Sequence, residues 1–251
     1  MLPTPDTSHV PYTRVYEPAE DSFLLLDTLS SPSESTFLTS RFNPSPSSPS
    51  SSAGRGTPLL LEIGPGSGVV LSFLTSNALP IFGTPHLLTL GIDVNPYACA
   101  ATNTTVAKAI AASPTPPGFF LDTAQGDLAT AIKPHSVDIL VFNPPYVPTE
   151  ELPGLEVGCG LSRFEEDSHL LALSYAGGKD GMETTDRLIE MLPGVLSGRG
   201  VGYVLLCAQN RPEEVKERMR GFGEGWRAET VGRSGRQAGW EKLEIVRVWR
   251  E

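Results

Sequence analysis

The 251-residue sequence predicts an α/β fold, a seven-stranded and mostly parallel sheet with helices on both faces and an antiparallel hairpin at the C-terminal end. Three observations predict it. Apolar runs of strand length alternate with helix-like segments, an order that favours a parallel sheet covered on both faces. The last two apolar runs are joined by a glycine-rich loop without a helix, which favours an antiparallel pair. A hydrophobic content of 39% and a charged content of 19% fit a globular protein.

The first half of the chain contains three predicted strands. Before them, residues 12–29 include Phe23, Leu24, Leu25, Leu26 and Leu29, an apolar helical face that needs burial. The apolar run 59–63 is the first strand, and a glycine turn leads from it into a helix at 69–76. The run 87–92 is the second strand, followed by an Ala/Thr-rich helix at 96–112, and 119–124 is the short third strand.

The second half continues the alternation. Residues 137–142 form an uninterrupted apolar run and a fourth strand, 182–196 a helix, and 201–207 a fifth strand. Pro212 stands where prolines begin helices and opens one that extends to residue 220. The last two strands are 227–231 and 243–249, and the latter alternates cleanly.

We expect one domain over residues 1–251, interrupted by a Ser/Pro-rich segment at 30–57. Every residue from 44 to 52 is Ser or Pro, and the flanking sequence has little apolar periodicity. Such composition cannot bury enough apolar surface to offset the entropy of ordering. We therefore predict a disordered insertion there.

Composition excludes several classes of protein. No apolar run approaches the ~20 residues of a membrane span, and the first residues lack the pattern of a signal peptide, so we expect the protein in the cytoplasm, with the nucleus as a second compartment. The three cysteines, Cys99, Cys159 and Cys207, form no C-x-x-C motif, so we expect neither disulfides nor a structural metal. The net charge of −10 favours a basic protein partner or substrate over nucleic acid.

The most informative motif is Asn143-Pro144-Pro145-Tyr146, directly after the buried run 137–142. Each proline lacks a backbone donor and holds φ near −65°, so strand pairing must stop there. The asparagine side chain and a proline carbonyl then offer two acceptors to an NH2 group, and the tyrosine offers a ring face. The motif predicts a site that alkylates a nitrogen carrying two protons. By itself it is equally compatible with a strand that ends in a proline turn.

Polar groups also follow the first three strands. The turn at 62–68 (Glu-Ile-Gly-Pro-Gly-Ser-Gly) permits a close backbone approach to a ligand. Asp93 ends the second strand and suits ribose hydroxyls, while Asp127 and Leu128 follow the third and suit an adenine. The carboxyl ends of parallel strands meet at one edge, so a nucleoside pocket is predicted. Val69 stands where a dinucleotide-binding turn has its last glycine, which favours a nucleoside without phosphates.

These residues carry a family resemblance. The glycine turn, Asp93, the triplet 126–128 and the motif 143–146 together resemble the class I S-adenosylmethionine-dependent methyltransferases that act on amide or amino nitrogens. Residues 15–27 (Val-Tyr-Glu-Pro-Ala-Glu-Asp-Ser-Phe-Leu-Leu-Leu-Asp) narrow the resemblance to the eukaryotic and archaeal branch of the HemK/PrmC-like glutamine methyltransferases. Residues 175–181 and 235–239 are similar to that branch as well. The resemblance covers most of the chain but omits the Ser/Pro segment and is poor at 150–168.

The resemblance implies a Rossmann-like fold, S-adenosylmethionine as cofactor, S-adenosylhomocysteine as product, and methylation of the glutamine in the Gly-Gly-Gln motif of the class 1 translation release factor. Ser22 keeps the hydroxyl of the threonine that the family commonly carries. The implied cofactor-binding residues are Tyr16, Glu17, Asp21, Ser22, Glu62, Gly64, Gly66, Asp93, Asp127, Leu128 and Asn143, and the implied catalytic residues are Asn143, Pro144, Pro145 and Tyr146. For Tyr16, Glu17 and Asp21, helix capping or packing remains an alternative.

The resemblance also implies partners. It places the third strand at a sheet edge, where Phe119, Phe120 and Leu121 would expose apolar surface and unpaired backbone groups. A small zinc-binding activator subunit would cover them by strand addition and form a heterodimer. The alternative is that these residues face the core. The implied protein substrate is the release factor, alone or with its bound GTPase.

Two rival functions remain open from the sequence. The first is methylation of DNA or RNA adenine or of a protein lysine, because an exocyclic amine presents the same NH2 group after base flipping. The acidic chain and the lack of a nucleic-acid-binding domain disfavour it. The second is a non-catalytic, cofactor-binding scaffold, which retention of Asn143 disfavours because a scaffold does not use a substrate amide clamp.

Overall fold

The computed structural model describes residues 2–43, 56–155, 162–235 and 242–251. Its seven strands are β1 (Leu59–Ile63), β2 (Leu88–Asp93), β3 (Phe119–Gln125), β4 (Val137–Phe142), β5 (Leu196–Cys207), β6 (Trp226–Arg233) and β7 (Leu243–Arg250). The helices are α1 (Glu20–Leu29), α2 (Pro32–Phe42), α3 (Val69–Ser76), α4 (Ala78–Phe82), α5 (Pro96–Ala112), α6 (Arg163–Tyr175), α7 (Glu183–Val195) and α8 (Pro212–Arg220).

The strands form one sheet in the order β3-β2-β1-β4-β5-β7-β6. The first five strands in the chain are parallel, whereas β7 runs antiparallel to both β5 and β6. The predicted seven-stranded sheet and its antiparallel C-terminal hairpin are therefore confirmed. The third strand lies at one edge, as the family resemblance implied.

Helices cover both faces of the sheet. Leu60 and Leu61 in β1 are fully buried on opposite sides, because successive strand residues point to opposite faces. Leu60 packs in a cluster with residues of α1, α2, α3 and α5, and Leu61 in a second cluster with residues of α7 and α8. All six residues of β4 are buried, so Asn143 directly after it starts from a fixed position.

Helix α2 corrects the prediction of a disordered insertion at 30–57. Ser31 caps the helix by accepting from the Glu34 amide at 3.3 Å, and Leu38 and Phe42 are buried one turn apart. Glu34 binds the buried Arg247 with both carboxylate oxygens at 2.8 Å. The serine-rich composition of this segment did not indicate that Leu38 and Phe42 would be buried. The Ser/Pro run itself, within 44–55, lies outside the described residues.

Helix α6 was likewise not predicted. It begins with a capping box in which Ser162 and Glu165 exchange hydrogen bonds, and this box specifies a helix start. The helix occupies the end of the region 150–168, where the family resemblance is poor, while residues 156–161 lie outside the described part. Within the described ranges, no helix has both the length and the apolar character needed to cross a membrane.

Candidate active site

A cavity of about 580 Å³ lies at the carboxyl ends of β1, β2 and β4. It brings together residues from distant parts of the sequence, as ligand sites in open α/β sheets do. The predicted residues that line it are Tyr16, Asp21, Ser22, Glu62, Gly64, Gly66, Asp93, Asp127, Leu128, Asn143, Pro144, Pro145 and Tyr146. The exception is Glu17, which is exposed and does not line the cavity.

The glycine turn leaves room for a ligand. Gly64 and Gly66 have φ of 63° and 55°, a region that side chains rarely adopt, and a Cβ on either would meet no atom within 4 Å. By contrast, a Cβ on Gly68 would lie 2.7 Å from the Thr102 Cα, so that glycine permits helix packing. Gly64 and Gly66 therefore leave open space where the turn lines the cavity.

Two buried carboxyl groups face the cavity. Asp93 is tied to the turn, since Oδ2 accepts from the Gly66 amide at 3.0 Å and Oδ1 from the Asn95 amide at 2.9 Å. Burial raises its pKa to about 6 despite these bonds. Glu62 is 2% exposed, its Oε2 has no hydrogen-bond partner, and burial raises its pKa to about 8. A buried carboxyl with an unpartnered oxygen is a site for a cationic or hydroxyl-bearing ligand group.

Asp127 and Leu128 end the cavity on the β3 side. Leu128 is buried and has φ of 51°, an uncommon conformation outside glycine that fixes its direction. Asp127 Oδ2 accepts from Nη2 of Arg187, a residue of α7 that also lines the cavity. The sequence did not point to Arg187, because 60 residues separate it from its partner.

Asn143 has a defined amide orientation. Its Nδ2 donates to Asp21 Oδ2 at 3.1 Å, and this carboxyl oxygen accepts. The Asn143 NH2 group must therefore point at Asp21, which leaves Oδ1 as a buried acceptor without a partner. Asp21 in turn is held by the Ser22 amide at 2.5 Å. The geometry provides one acceptor aimed to receive an N–H.

Arg14 joins the N-terminal segment to two helices around the cavity. Its Nε lies 2.5 Å from Asp167 Oδ1 in α6, and its guanidinium lies 4.2 Å from the ring centroid of Tyr97 in α5. Val15 and Tyr16 next to it line the cavity, as do Leu170, Leu173 and Ser174 of α6. The N-terminal segment was predicted as a cavity wall, whereas α6 was not.

The described residues fit S-adenosylmethionine. The volume lies in the range of small-molecule sites. Among the described lining residues, Arg187 is the one basic side chain, and its pairing with Asp127 disfavours phosphate binding. The acceptors Glu62, Asp93 and Asp127 suit the ammonium, ribose and adenine amino groups of the cofactor. Among the residues that the structure describes, no cluster of three or more His, Cys, Asp or Glu residues could hold a metal ion.

The chain resembles known proteins in both sequence and fold. No protein-family model matches the chain. The hMettl16 catalytic domain, solved in complex with MAT2A 3'UTR hairpin 1, aligns with 96% of this chain and 73% of that chain at a TM-score of 0.55 and 14% identity, which shows the fold alone. The fold and the site define a class I S-adenosylmethionine-dependent methyltransferase.

Two relatives identify the family. Methyltransferase HEMK2 of Homo sapiens is 35% identical over 248 residues, which cover 97% of this chain and 95% of that protein. The eRF1 methyltransferase catalytic subunit mtq2 of Schizosaccharomyces pombe is 34% identical, over 100% of this chain and 96% of that protein. The chain belongs to the HEMK2 family of HemK-like methyltransferases, and the resemblance found in the sequence is confirmed.

Proposed function

We propose that this protein transfers the methyl group of S-adenosylmethionine to the side-chain nitrogen of the glutamine in the Gly-Gly-Gln motif of the translation release factor eRF1. The observation that carries the proposal is the Asn143 amide, whose Oδ1 is a buried, unpartnered acceptor beside the cofactor cavity. The name of the Schizosaccharomyces pombe relative supports the choice of substrate.

The chemical task is to make an amide nitrogen react. A glutamine nitrogen is a poor nucleophile because its lone pair is delocalised into the carbonyl. Asn143 Oδ1 and the Pro144 carbonyl accept its two N–H protons and hold the nitrogen in one orientation. S-adenosylmethionine supplies an electrophilic methyl group on a sulfonium when bound. Such positioning contributes several kcal/mol, and about 7–11 at the extreme.

Neighbouring residues hold the substrate clamp, which comprises residues 143–146, in place. Asp21 prevents the Asn143 amide from rotating, because rotation would place Oδ1 against a carboxylate. Tyr146 packs against the buried apolar cluster that contains Leu60, and it offers its ring to the planar amide. A strong base is not required before transfer, because the nitrogen proton becomes acidic only as the nitrogen gains positive charge, and the proton is then released to solvent.

Methyl transfer to eRF1 tests the proposal. The chain, co-expressed with the small zinc-binding activator subunit that the resemblance implies, is incubated with methyl-labelled cofactor and with eRF1 carrying Gly-Gly-Gln or Gly-Gly-Ala. We expect label on the first only, and its loss in Asn143→Ala. Asp21→Asn is the sharper variant, because it keeps the side-chain size but lets the Asn143 amide rotate and present its NH2 to the substrate. We expect at least a tenfold loss of rate in Asp21→Asn.

The same assay discriminates the rival functions. Equal labelling of both eRF1 forms, or label only on DNA, RNA or a lysine substrate, would refute glutamine methylation. Cofactor binding without labelling of any acceptor would support a scaffold. Thermal denaturation of each variant in the presence of S-adenosylhomocysteine controls for folding, since a folded protein keeps its stabilisation by ligand.

We also propose that a small zinc-binding activator subunit docks on β3 by strand addition. β3 is an edge strand in which Phe119 and Leu121 are 57% and 53% exposed, while Phe120 is partly buried and packs against the core. Exposed apolar residues on an edge with unpaired backbone groups are ordinarily covered. The core-facing alternative thus holds for Phe120 alone.

Co-purification tests this docking. Leu121→Asp places a charge on the exposed side of β3, and we expect it to abolish capture of a tagged activator subunit of this kind. Phe23→Asp is the control, because Phe23 is an exposed apolar residue in α1, a helix that contacts β6 and β7 at the opposite edge of the sheet from β3. Equal capture by both variants would contradict docking at β3.

Because the proposed substrate acts in translation, we propose a cytoplasmic location for the complex.

A further inference from the structure

Asn210 is a buried amide in the turn between β5 and α8. It is 3% exposed, and its Oδ1 accepts from the Cys207 amide at 2.8 Å. The following residue, Arg211, has φ of 52° and begins the turn into α8. The side chain is thereby fixed to the end of a central strand, and its Nδ2 points away from that strand.

Three backbone carbonyls surround Asn210 Nδ2. The carbonyl of Asp180 lies at 3.2 Å, that of Gly181 at 3.3 Å and that of Tyr146 at 3.4 Å. An NH2 group has two protons, so the three acceptors share them. Converging carbonyl dipoles repel each other unless a donor stands between them. Asn210 therefore holds Tyr146, the last residue of the substrate clamp, against residues 180–181.

Glycines allow this backbone contact. A Cβ on Gly181 would lie 2.0 Å from the Tyr146 oxygen, and a Cβ on Gly177 would lie 2.5 Å from the Pro145 oxygen. The Val147 amide donates to the Tyr175 carbonyl at 3.0 Å, and the Gly177 amide donates to the Val147 carbonyl at 2.8 Å. Residues 175–181 and Asn210 together form a frame behind the clamp.

The clamp is stiff, so a shift of the backbone at one end displaces the backbone at the other end. Pro144 and Pro145 have φ restricted by their rings, so few torsions separate Asn143 from Tyr146. Phe142 before the clamp is paired in the sheet with Ile63 and with Val204. One end of the clamp is thus held by β4, and the other by the frame. A shift of the Tyr146 carbonyl would move the Pro144 carbonyl with it.

We propose that Asn210 is a positioning residue for methyl transfer, which holds the Tyr146 end of the clamp so that the Asn143 and Pro144 acceptors stay at the spacing of one NH2 group. This inference rests on the proposed clamp function. It predicts a loss in the rate of transfer with little loss in cofactor binding, because the Asn210 side chain hydrogen-bonds residues 146, 180, 181 and 207 and not Glu62, Asp93 or the glycine turn, which would hold the cofactor.

The test uses Asn210→Asp, which keeps the shape and the acceptor for Cys207 but replaces the donor by an oxygen that repels the three carbonyls. We expect kcat for methyl transfer to fall about 10- to 100-fold. The dissociation constant of S-adenosylhomocysteine, measured by calorimetry, should stay within about twofold of wild type. Gln209→Ala is the matched control, since Gln209 is the exposed neighbour in the same turn and should leave both quantities unchanged.

The outcomes are distinct. An unchanged kcat in Asn210→Asp, or parallel losses in kcat, cofactor binding and melting temperature, would overturn the inference and leave Asn210 a folding residue. If Asn210→Asp does not fold, kcat and the dissociation constant of S-adenosylhomocysteine are measured on Asn210→Ser instead. Serine keeps a hydroxyl donor in a smaller side chain. Failure of the wild-type protein to label the Gly-Gly-Gln substrate refutes the proposed function instead, and the variants are then compared on whichever acceptor wild type methylates.

Discussion

Replacing Glu62 by glutamine isolates the contribution of one of the two buried carboxyl groups in the cofactor cavity. Burial raises the pKa of Glu62 to about 8 from an ordinary value of 4.5. Between these two pH values the folded chain binds a proton that the unfolded chain has lost, so stability falls as pH rises toward 8. Burial raises the pKa of Asp93 to about 6, so most of its own contribution to this fall lies below that pH. The window from pH 6 to 8 therefore reports Glu62.

The magnitude follows from one proton. A single titrating group changes the free energy of unfolding by at most ~1.4 kcal/mol per pH unit, and a pKa of about 8 gives about 2 kcal/mol between pH 6 and 8. Urea denaturation of wild type and Glu62→Gln at pH 6, 7 and 8 measures it. We expect wild type to lose about 2 kcal/mol more than the variant over this range, because glutamine mimics the protonated acid and does not titrate.

Cofactor binding provides the second half of the assay. If the ammonium group of S-adenosylhomocysteine binds ionised Glu62, binding must remove the proton, and the apparent affinity rises with pH. For a pKa of about 8, the rise between pH 6 and 8 is about 50-fold in wild type, and we expect it to be absent in Glu62→Gln. Parallel pH profiles of the two proteins, in stability or in binding, would refute the reasoning, because Glu62 would then be ionised already in the free protein.

Two further predictions concern the frame behind the clamp and the ion pair beneath α2. Gly181→Ala puts a Cβ at 2.0 Å from the Tyr146 oxygen at φ of 69°, and we expect at least a tenfold loss of methyl transfer with ~1–3 kcal/mol of destabilisation, measured by initial rates and urea denaturation. Arg247→Met leaves buried Glu34 without its guanidinium, and we expect ~3–5 kcal/mol of destabilisation in the same denaturation assay.

Matched controls accompany both predictions. A Cβ on Gly194 in α7 meets nothing within 4 Å, so Gly194→Ala should be neutral or stabilising by up to ~1 kcal/mol. Full activity of Gly181→Ala would show that the clamp tolerates displacement. The double variant Glu34→Leu/Arg247→Met should recover part of the loss, because no buried charge then lacks a partner. A double variant no more stable than Arg247→Met would contradict that account.

The sequence predicted the parts of the site that follow directly from strands. The glycine turn, Asp93 and Asn143 each end an apolar run, and parallel strands bring such ends to one edge. Arg187 and Asn210 were missed because the partner of Arg187 lies 60 residues away and the three carbonyls around Asn210 Nδ2 lie 29, 30 and 64 residues away. Helix α6 could have been found from Ser162 followed three residues later by an acid, which is the sequence pattern of a capping box.

Helix α2 shows the limit of compositional reasoning. Four serines and a proline between residues 31 and 40 give the segment a polar composition, yet Leu38 and Phe42 supply a buried stripe and Glu34 an ion pair with a strand more than 200 residues away. Only the folded sheet provides Arg247, which also stacks on Phe37 at 3.8 Å. Tertiary contacts, and not local propensity, stabilise this helix.

The orientation that Asp21 imposes on Asn143 also determines what the enzyme can recognise. Two acceptor oxygens sense an NH2 group, but a glutamine, an asparagine and an exocyclic base amine all carry one. Choice among substrates must therefore depend on residues around the mouth of the cavity, such as Leu155 and Tyr175, which are exposed there. Redirecting the enzyme to another acceptor thus calls for changes at this rim, with the Asp21–Asn143 pair left intact.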